Sequence, residues 1–222
     1  MEVKVMENIL DKNDRIARSL QQIFAEKGVF ALNLLGSPGA GKTTLLEKTL
    51  ASLKGKLRVA VIEGDLFTAK DADRIGALGI PVIQINTGGG CHLDAAMVEK
   101  ALAKLPLDDI DLLIIENVGN LVCPAEFFIG EDAKATLLSV TEGEDKPLKY
   151  PLIFKEASVV LINKTDLLPY LPFDLAAAKE DITTLNPTVC LLEISCQSGD
   201  GLAAWRQWLL DQVQKKRTAR SC

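Results

Sequence analysis

The segment VFALNLLGSPGAGKTTLL, Val29 to Leu46, constrains the fold of this chain more than any other. An apolar run from Val29 to Leu35 breaks into Gly36-Ser37-Pro38-Gly39-Ala40-Gly41-Lys42-Thr43, the G-x-x-x-x-G-K-[ST] spacing of a phosphate-binding loop. The glycines let the backbone curl so that its N–H groups point inward at a polyphosphate. The helix that starts at Thr43 adds a favourable dipole. Gly36, Ser37, Pro38, Gly39, Ala40, Gly41 and Thr44 are therefore expected to line a nucleotide. Lys42 should meet its β- and γ-phosphates, and the Thr43 hydroxyl should hold Mg²⁺.

Such a loop needs a strand before it and a helix after it, and the rest of the chain has that rhythm. Asn8 to Lys27 reads as an amphipathic helix, with Ile9, Asn13, Ile16, Leu20 and Ile23/Phe24 near the helical period, packed on the core or on a second subunit. Apolar runs of strand length follow at Leu57–Ile62, Ile80–Ile85, Asp111–Ile115, Ala135–Val140, Ser158–Ile162 and Val189–Ile194. Helices are expected over Thr44–Leu53, Thr68–Leu78, a stretch carrying Leu93, Met97 and Ala101 on one face, Asp174–Leu185 and Gly201–Lys215. Thr141 to Pro147 reads as a polar loop. Short apolar strands alternating with helices imply an α/β fold, a mostly parallel β-sheet flanked by helices on both faces, with ligands at the carboxyl ends of the strands.

At 222 residues the chain suits a single domain over residues 1–222. A formal charge of −5 argues against a nucleic-acid partner, and Lys215-Lys216-Arg217 with Arg220 reads as a solvated helix end. No apolar run approaches the roughly 18 residues that span a bilayer, and MEVKVMENIL lacks a secretory core, so a soluble, cytoplasmic protein without a membrane partner is expected. In a reducing compartment Cys91, Cys123, Cys190, Cys196 and Cys222 do not read as a disulfide framework.

Asn163-Lys164-Thr165-Asp166 begins where a strand stops. A carboxylate at Asp166 can accept from N1–H and the 2-amino group of guanine, the lysine stem can cover the base, and Asn163 can brace the loop, which points to GTP or GDP. Ser195-Cys196 occupies the second base-contacting turn. For Mg²⁺ the candidates are Asp65 and Glu116, both read as ending strands that flank the phosphate-loop strand. Lys42, Asp65 and Glu116 thus form the expected catalytic set. The usual D-x-x-G of GTPases is here Glu116-Asn117-Val118-Gly119, and no glutamine follows to orient water, so turnover should be slow.

His92 is the only histidine and follows Cys91 behind Gly88-Gly89-Gly90. A thiol and an imidazole in a glycine-rich loop at a strand end suit a soft metal, and Cys123 is placed to bring a third ligand. Adjacent residues of extended backbone point to opposite sides, and three ligands leave a tetrahedral shell one short. A site shared across a two-fold axis answers both difficulties. Cys190 reads as a core residue.

GSPGAGKTTLLE, EGD, TGGGCHLDA, ENVGNLVCPAEF and NKTDLLP together resemble the HypB family, GTPases that assist nickel insertion into [NiFe]-hydrogenase, over essentially the whole chain. The resemblance implies a P-loop GTPase of the SIMIBI class that forms a homodimer around nucleotide. It implies Ni²⁺ or Zn²⁺ at the subunit interface on Cys91, His92 and Cys123, and Lys42, Thr43 and Asp65 serving phosphate and Mg²⁺. The partners it implies are HypA, the small nickel-binding accessory protein, and the hydrogenase large subunit. Met1 to Val29 lacks cysteine and histidine, so a nickel-storage tract is not expected. The alternatives are a related P-loop GTPase serving urease or a cobalamin-dependent mutase, a small-molecule kinase, and a metal-binding module with a vestigial nucleotide site.

Overall fold

The computed structural model describes residues 9–65 and 74–220. All seven residues of the first strand, β1 (Phe30–Gly36), are buried, which requires cover on both faces of the sheet. Its partners are β2 (Val59–Asp65), β3 (Val82–Asn86), β4 (Leu112–Glu116), β5 (Ala133–Ser139), β6 (Val159–Asn163) and β7 (Cys190–Glu193). They stand in the order β3-β2-β4-β1-β5-β6-β7, every pairing parallel, so β1 lies in the middle of the sheet.

Alternation along β1 divides the core. Phe30, Leu32 and Leu34 pack with Leu45, Leu46 and Leu50 of α2 (Lys42–Leu53) and with Trp205, Leu209 and Val213 of the C-terminal helix Leu202–Arg220. Ala31 faces the other way, toward Ala17, Leu20 and Phe24 of α1 (Ile9–Lys27) and Val98 and Leu102 of α3 (Ala95–Leu102). The N-terminal helix is thus part of the core, docked by its apolar stripe.

Element bounds differ from the sequence expectation in informative places. β2 runs to Asp65, so Glu63-Gly64-Asp65 is strand rather than the turn after it, and β3 starts beyond Pro81. The expected polar loop carries α5 (Lys146–Lys149), its proline in the first turn where the missing N–H costs nothing, followed by α6 (Pro151–Lys155). A further short helix, α4 (Cys123–Glu126), follows β4. The helix expected over residues 68–78 lies partly outside the described residues, although 74–76 are helical. Asn8 and Cys222 also lie outside them. Helix α7 (Leu175–Leu185) matches expectation, and α8 (Leu202–Arg220) continues past Lys215. Cys190 opens the edge strand β7, half-buried and packed against the rim of the core rather than inside it. No helix among the described residues is long and apolar enough to cross a membrane.

The basic end of α8 is not simply solvated. Lys216 pairs with Asp132 at 2.5 Å, Arg217 with Asp111 at 2.8 Å, and Arg220 donates to the Lys27 carbonyl at 2.9 Å. Burial pushes the Asp111 carboxyl up, but bonds from the Arg58 guanidinium and backbone N–H and from Arg217 outweigh it and hold the group far below the usual carboxylate range. A depressed folded value stabilises above the unfolded value near ~3.9 and is lost as pH falls through the folded value. Asp111→Asn should therefore cost about 2 kcal/mol at neutral pH, a deficit that shrinks as the pH is taken from about 5 to about 2. Urea denaturation across that range measures it.

Candidate functional site

The loop between β1 and α2 is built as its sequence requires. Gly41 has φ +102°, and a Cβ there would fall 2.5 Å from Asn163 Nδ2, so the position admits only glycine. That Asn163 amide donates to the Ala40 carbonyl at 2.9 Å, and its oxygen accepts from the Cys196 N–H at 3.3 Å. Lys164, in the left-handed region at φ +64°, extends Nζ to the Gly39 carbonyl at 2.7 Å. Lys42 Nζ spans the mouth of the loop, donating to the carbonyls of Gly36 and Ser37 at 3.2 Å each. Ser37 donates to Glu142 Oε2 at 2.6 Å. The Asn163-Lys164 pair is therefore a clamp on the phosphate loop.

Against the loop lies a cavity of about 520 Å³ lined by Pro38, Gly39, Gly41 to Thr44, Glu63 to Asp65, Arg74, Glu116 to Gly119 and Lys164. Thr43 Oγ1 donates to Glu116 Oε1 at 2.9 Å. Glu116 ends β4, which is the true neighbour of β1, with Leu34 opposite Glu116. Asp65 ends β2, which pairs with β4 and not with β1, so the expectation that both acids flank the loop strand is corrected for Asp65. Parallel crossovers leave strand order open, and sequence alone does not choose. In exchange β2 contributes Glu63, in register with Glu116 and 3% exposed, so Glu63, Asp65 and Glu116 face one cavity with the Thr43 hydroxyl. Oxygen donors of this kind suit Mg²⁺.

The base-side turn is assembled too. Ser195 Oγ donates to Asp166 Oδ1 at 2.5 Å and accepts from the N–H groups of Gln197 and Ser198 at 3.1 and 3.0 Å. Burial pushes the Cys196 thiol up to about 11, which keeps it protonated beside this turn.

Ligand atoms of Cys91, His92 and Cys123 lie within 4.8 Å of one another, and Cys91 Sγ is 3.6 Å from His92 Nδ1. Ligands around a tetrahedral Zn²⁺ stand roughly 3.5–3.8 Å apart, so two thiols and an imidazole at these spacings fit a soft ion after small closure. The expectation that Cys91 and His92 point apart is corrected: they sit in a bend, not in extended backbone, and turn to one side. The bond with Cys123, then burial, then the Cys123 charge raise the Cys91 thiol. Burial lowers the His92 imidazole, and its ring lies 3.9 Å from the Phe127 ring at a 30° tilt.

The two centres touch through the chain that leaves β4. Asn120 N donates to the Gly36 carbonyl at 3.2 Å while its side chain donates to the Cys91 carbonyl at 3.3 Å. The Asn117 oxygen accepts from Leu93 N at 3.0 Å, and Asn117 lines the nucleotide cavity. Sequence reading assigned no role to Glu63, Arg74, Asn117, Asn120 or Glu142. Glu63 alone carried a signal, since it alternates with Asp65 and so shares its face once both are strand.

A seven-stranded parallel sheet with a clamped phosphate loop at its centre and acids at the adjoining strand ends defines a P-loop nucleotide-binding protein. Residues 30–193 match the CobW/HypB/UreG nucleotide-binding domain. Hydrogenase maturation factor HypB of Escherichia coli (strain K12) is 53% identical over 212 residues, covering 96% of this chain and 72% of that protein. The solved HypB from Helicobacter pylori in complex with nickel superposes with a TM-score of 0.88 at 40% identity, over 93% of this chain and 97% of the other. Hydrogenase maturation factor HypB from Archaeoglobus fulgidus gives 0.87 at 36% identity, over 92% and 100%. The chain belongs to the HypB hydrogenase maturation factors of the CobW/HypB/UreG family.

Gly119 packs against the phosphate loop so closely that a Cβ would stand 2.9 Å from Pro38 N and 3.0 Å from Pro38 Cα. Backbone on both sides must then move. Gly119→Ala should weaken nucleotide binding by about tenfold or more, the equivalent of about 1.4 kcal/mol. Titration with a fluorescent GDP analogue reads the loss.

Proposed function

We propose that this chain is a GTP-hydrolysing metallochaperone that carries nickel during [NiFe]-hydrogenase maturation. The observation that carries the reading is the segment from Glu116 to Cys123, which contributes an acid to the nucleotide cavity at one end and a thiol to the metal cluster at the other. In this reading the loop N–H groups and Lys42 hold the β- and γ-phosphates, and Asp166 with the Ser195 turn selects guanine. Thr43, Glu116, Glu63 and Asp65 face the Mg²⁺ position. Mg²⁺, when bound, neutralises charge on the phosphate oxygens. Without a glutamine after Gly119 to orient water, turnover is slow.

The cargo, Ni²⁺ with Zn²⁺ as competitor, binds Cys91, His92 and Cys123. A second copy of the chain, assembled around nucleotide into a homodimer, completes the fourth position. HypA and the hydrogenase large subunit are the partners, in the cytoplasm. Support comes from the family, from the nickel complex of the Helicobacter pylori relative, and from the shared segment.

Two measurements test it. Asp166→Asn leaves one acceptor for the two guanine donors and sets an amide donor against the other, and should lower GTP affinity at least about a hundredfold with the fold intact, by calorimetry and circular dichroism. Ni²⁺ titrations on the GTP-analogue and GDP forms, with sedimentation velocity and Cys91→Ala alongside, should differ in affinity and in dimer content. Equal nickel affinity in both nucleotide states would end the switch reading.

A further inference from the structure

Asn13 is a polar residue on the apolar stripe of α1, only 6% exposed. Leucine there would extend the stripe that buries Leu20 and Phe24, and a buried amide is costly unless its groups are bonded. Both are. Asn13 Oδ1 accepts from Ala95 N at 2.9 Å, and Nδ2 donates to the Phe128 carbonyl at 2.7 Å, with a longer contact to Asp14 Oδ1 at 3.4 Å.

The two main-chain groups belong to different ligand segments. Ala95 opens α3, three residues after His92. Phe128 follows α4, which begins at Cys123, and its neighbour Phe127 carries the ring stacked on His92. Cys91 and His92 sit in a bend, and the chain after Glu126 is extended, so regular secondary structure does not fix one segment against the other. A single amide on α1 bonds both.

We infer that Asn13 is a positioning residue for the metal cluster, helping to set the distance between the Cys91-His92 segment and the Cys123-Phe127 segment from the side of α1, while Asn120 and Asn117 tie the Cys91-His92 segment to the chain before Cys123. It rests on the reading of Cys91, His92 and Cys123 as cargo ligands. Tetrahedral closure tolerates only a few tenths of an ångström, and displacing either segment opens the donor set. Linkage adds a consequence: metal on the cluster must tighten the docking of α1 as much as docking tightens metal.

The test uses the whole chain with Zn²⁺ and Ni²⁺ as probes. Asn13→Leu keeps the branched shape and the number of side-chain heavy atoms and removes both bonds, and Leu20→Ala loosens the same helix without removing either bond. Expected for Asn13→Leu are metal affinity about tenfold to a hundredfold weaker, a diminished thiolate-to-Ni²⁺ charge-transfer absorption, and unchanged GDP affinity. Metal should slow amide exchange along α1 in the wild type and not in Asn13→Leu. Metal affinity within twofold of wild type, or an equal loss in Leu20→Ala, would overturn the assignment. Should Asn13→Leu not fold, Asn13→Asp, which keeps the acceptor for Ala95 N and loses the amide donor to Phe128, is judged by the same criteria. Wild-type binding that survives Cys91→Ala would instead remove the metal reading on which the inference rests.

Discussion

The register of β4 against β1 governs this structure. Leu34 lies opposite Glu116, so both strands finish at the same level of one sheet edge. The chain leaving β4 does not depart from that edge: Asn117 N donates to the Leu34 carbonyl and Asn120 N to the Gly36 carbonyl, at 3.0 and 3.2 Å. It is thereby laid across the mouth of the phosphate loop, which brings Glu116 to Thr43, Gly119 onto Pro38 and Cys123 beside Cys91. A slip of one residue would turn Glu116 to the other face of the sheet and dismantle all three contacts.

Behind that segment runs a buried polar chain whose cost is offset by complete pairing. Asn117 Nδ2 donates to Asn33 Oδ1 at 3.2 Å, Asn33 Nδ2 to Glu131 Oε1 at 3.3 Å, and Ile129 N to Glu131 Oε2 at 2.8 Å. Burial raises the Glu131 carboxyl, against the pull of Lys134 and these bonds. A polar network satisfied at every member stiffens what it joins. Here it joins the loop after β4 to the turn before β5, so the Asn117 amide that receives Leu93 N rests on the interior of the sheet rather than on a loop.

The phosphate loop and the strand–helix rhythm were legible because each depends on local spacing or on short-range periodicity, whereas the bonds of Asn163 and Lys164 to that loop join distant segments and were not. Strand order was not: the chemistry of Asp65 and Glu116 looks equivalent in sequence, and of the two strands that carry them, β2 and β4, β4 alone lies beside β1. The relation of Cys91 to His92 misled for a related reason. Alternation holds for extended backbone, and Gly88 and Gly89, at φ +61° and +101°, end the extension before the ligands are reached. Asn13 stood in plain view on the helical stripe, yet its meaning depends on Ala95 and Phe128, far along the chain. Periodicity marks such a residue as buried and says nothing of its partners.

Two hydrogen-bonded routes connect the proposed centres, and they differ in what anchors them. One leaves Asp65, whose carbonyl accepts from Thr87 N at 3.0 Å, and passes through Gly88, Gly89 and Gly90 to Cys91. Thr87 closes that turn, its hydroxyl donating to the Gly90 carbonyl at 2.7 Å and its carbonyl accepting from Gly90 N at 3.2 Å, so this route is one hydrogen-bonded turn outside the sheet. The other passes from Gly36 through Asn120 to the Cys91 carbonyl, and from the cavity through Asn117 to Leu93, each step a direct bond backed by the sheet. A displacement at Asp65 reaches Cys91 through that turn, whereas one at Glu116 reaches the backbone of Cys91 and Leu93 through bonds anchored on the sheet. In the proposed cycle the γ-phosphate therefore acts on the metal from both strand ends, and Glu116 with the asparagines that follow it is the route tied to the interior of the sheet.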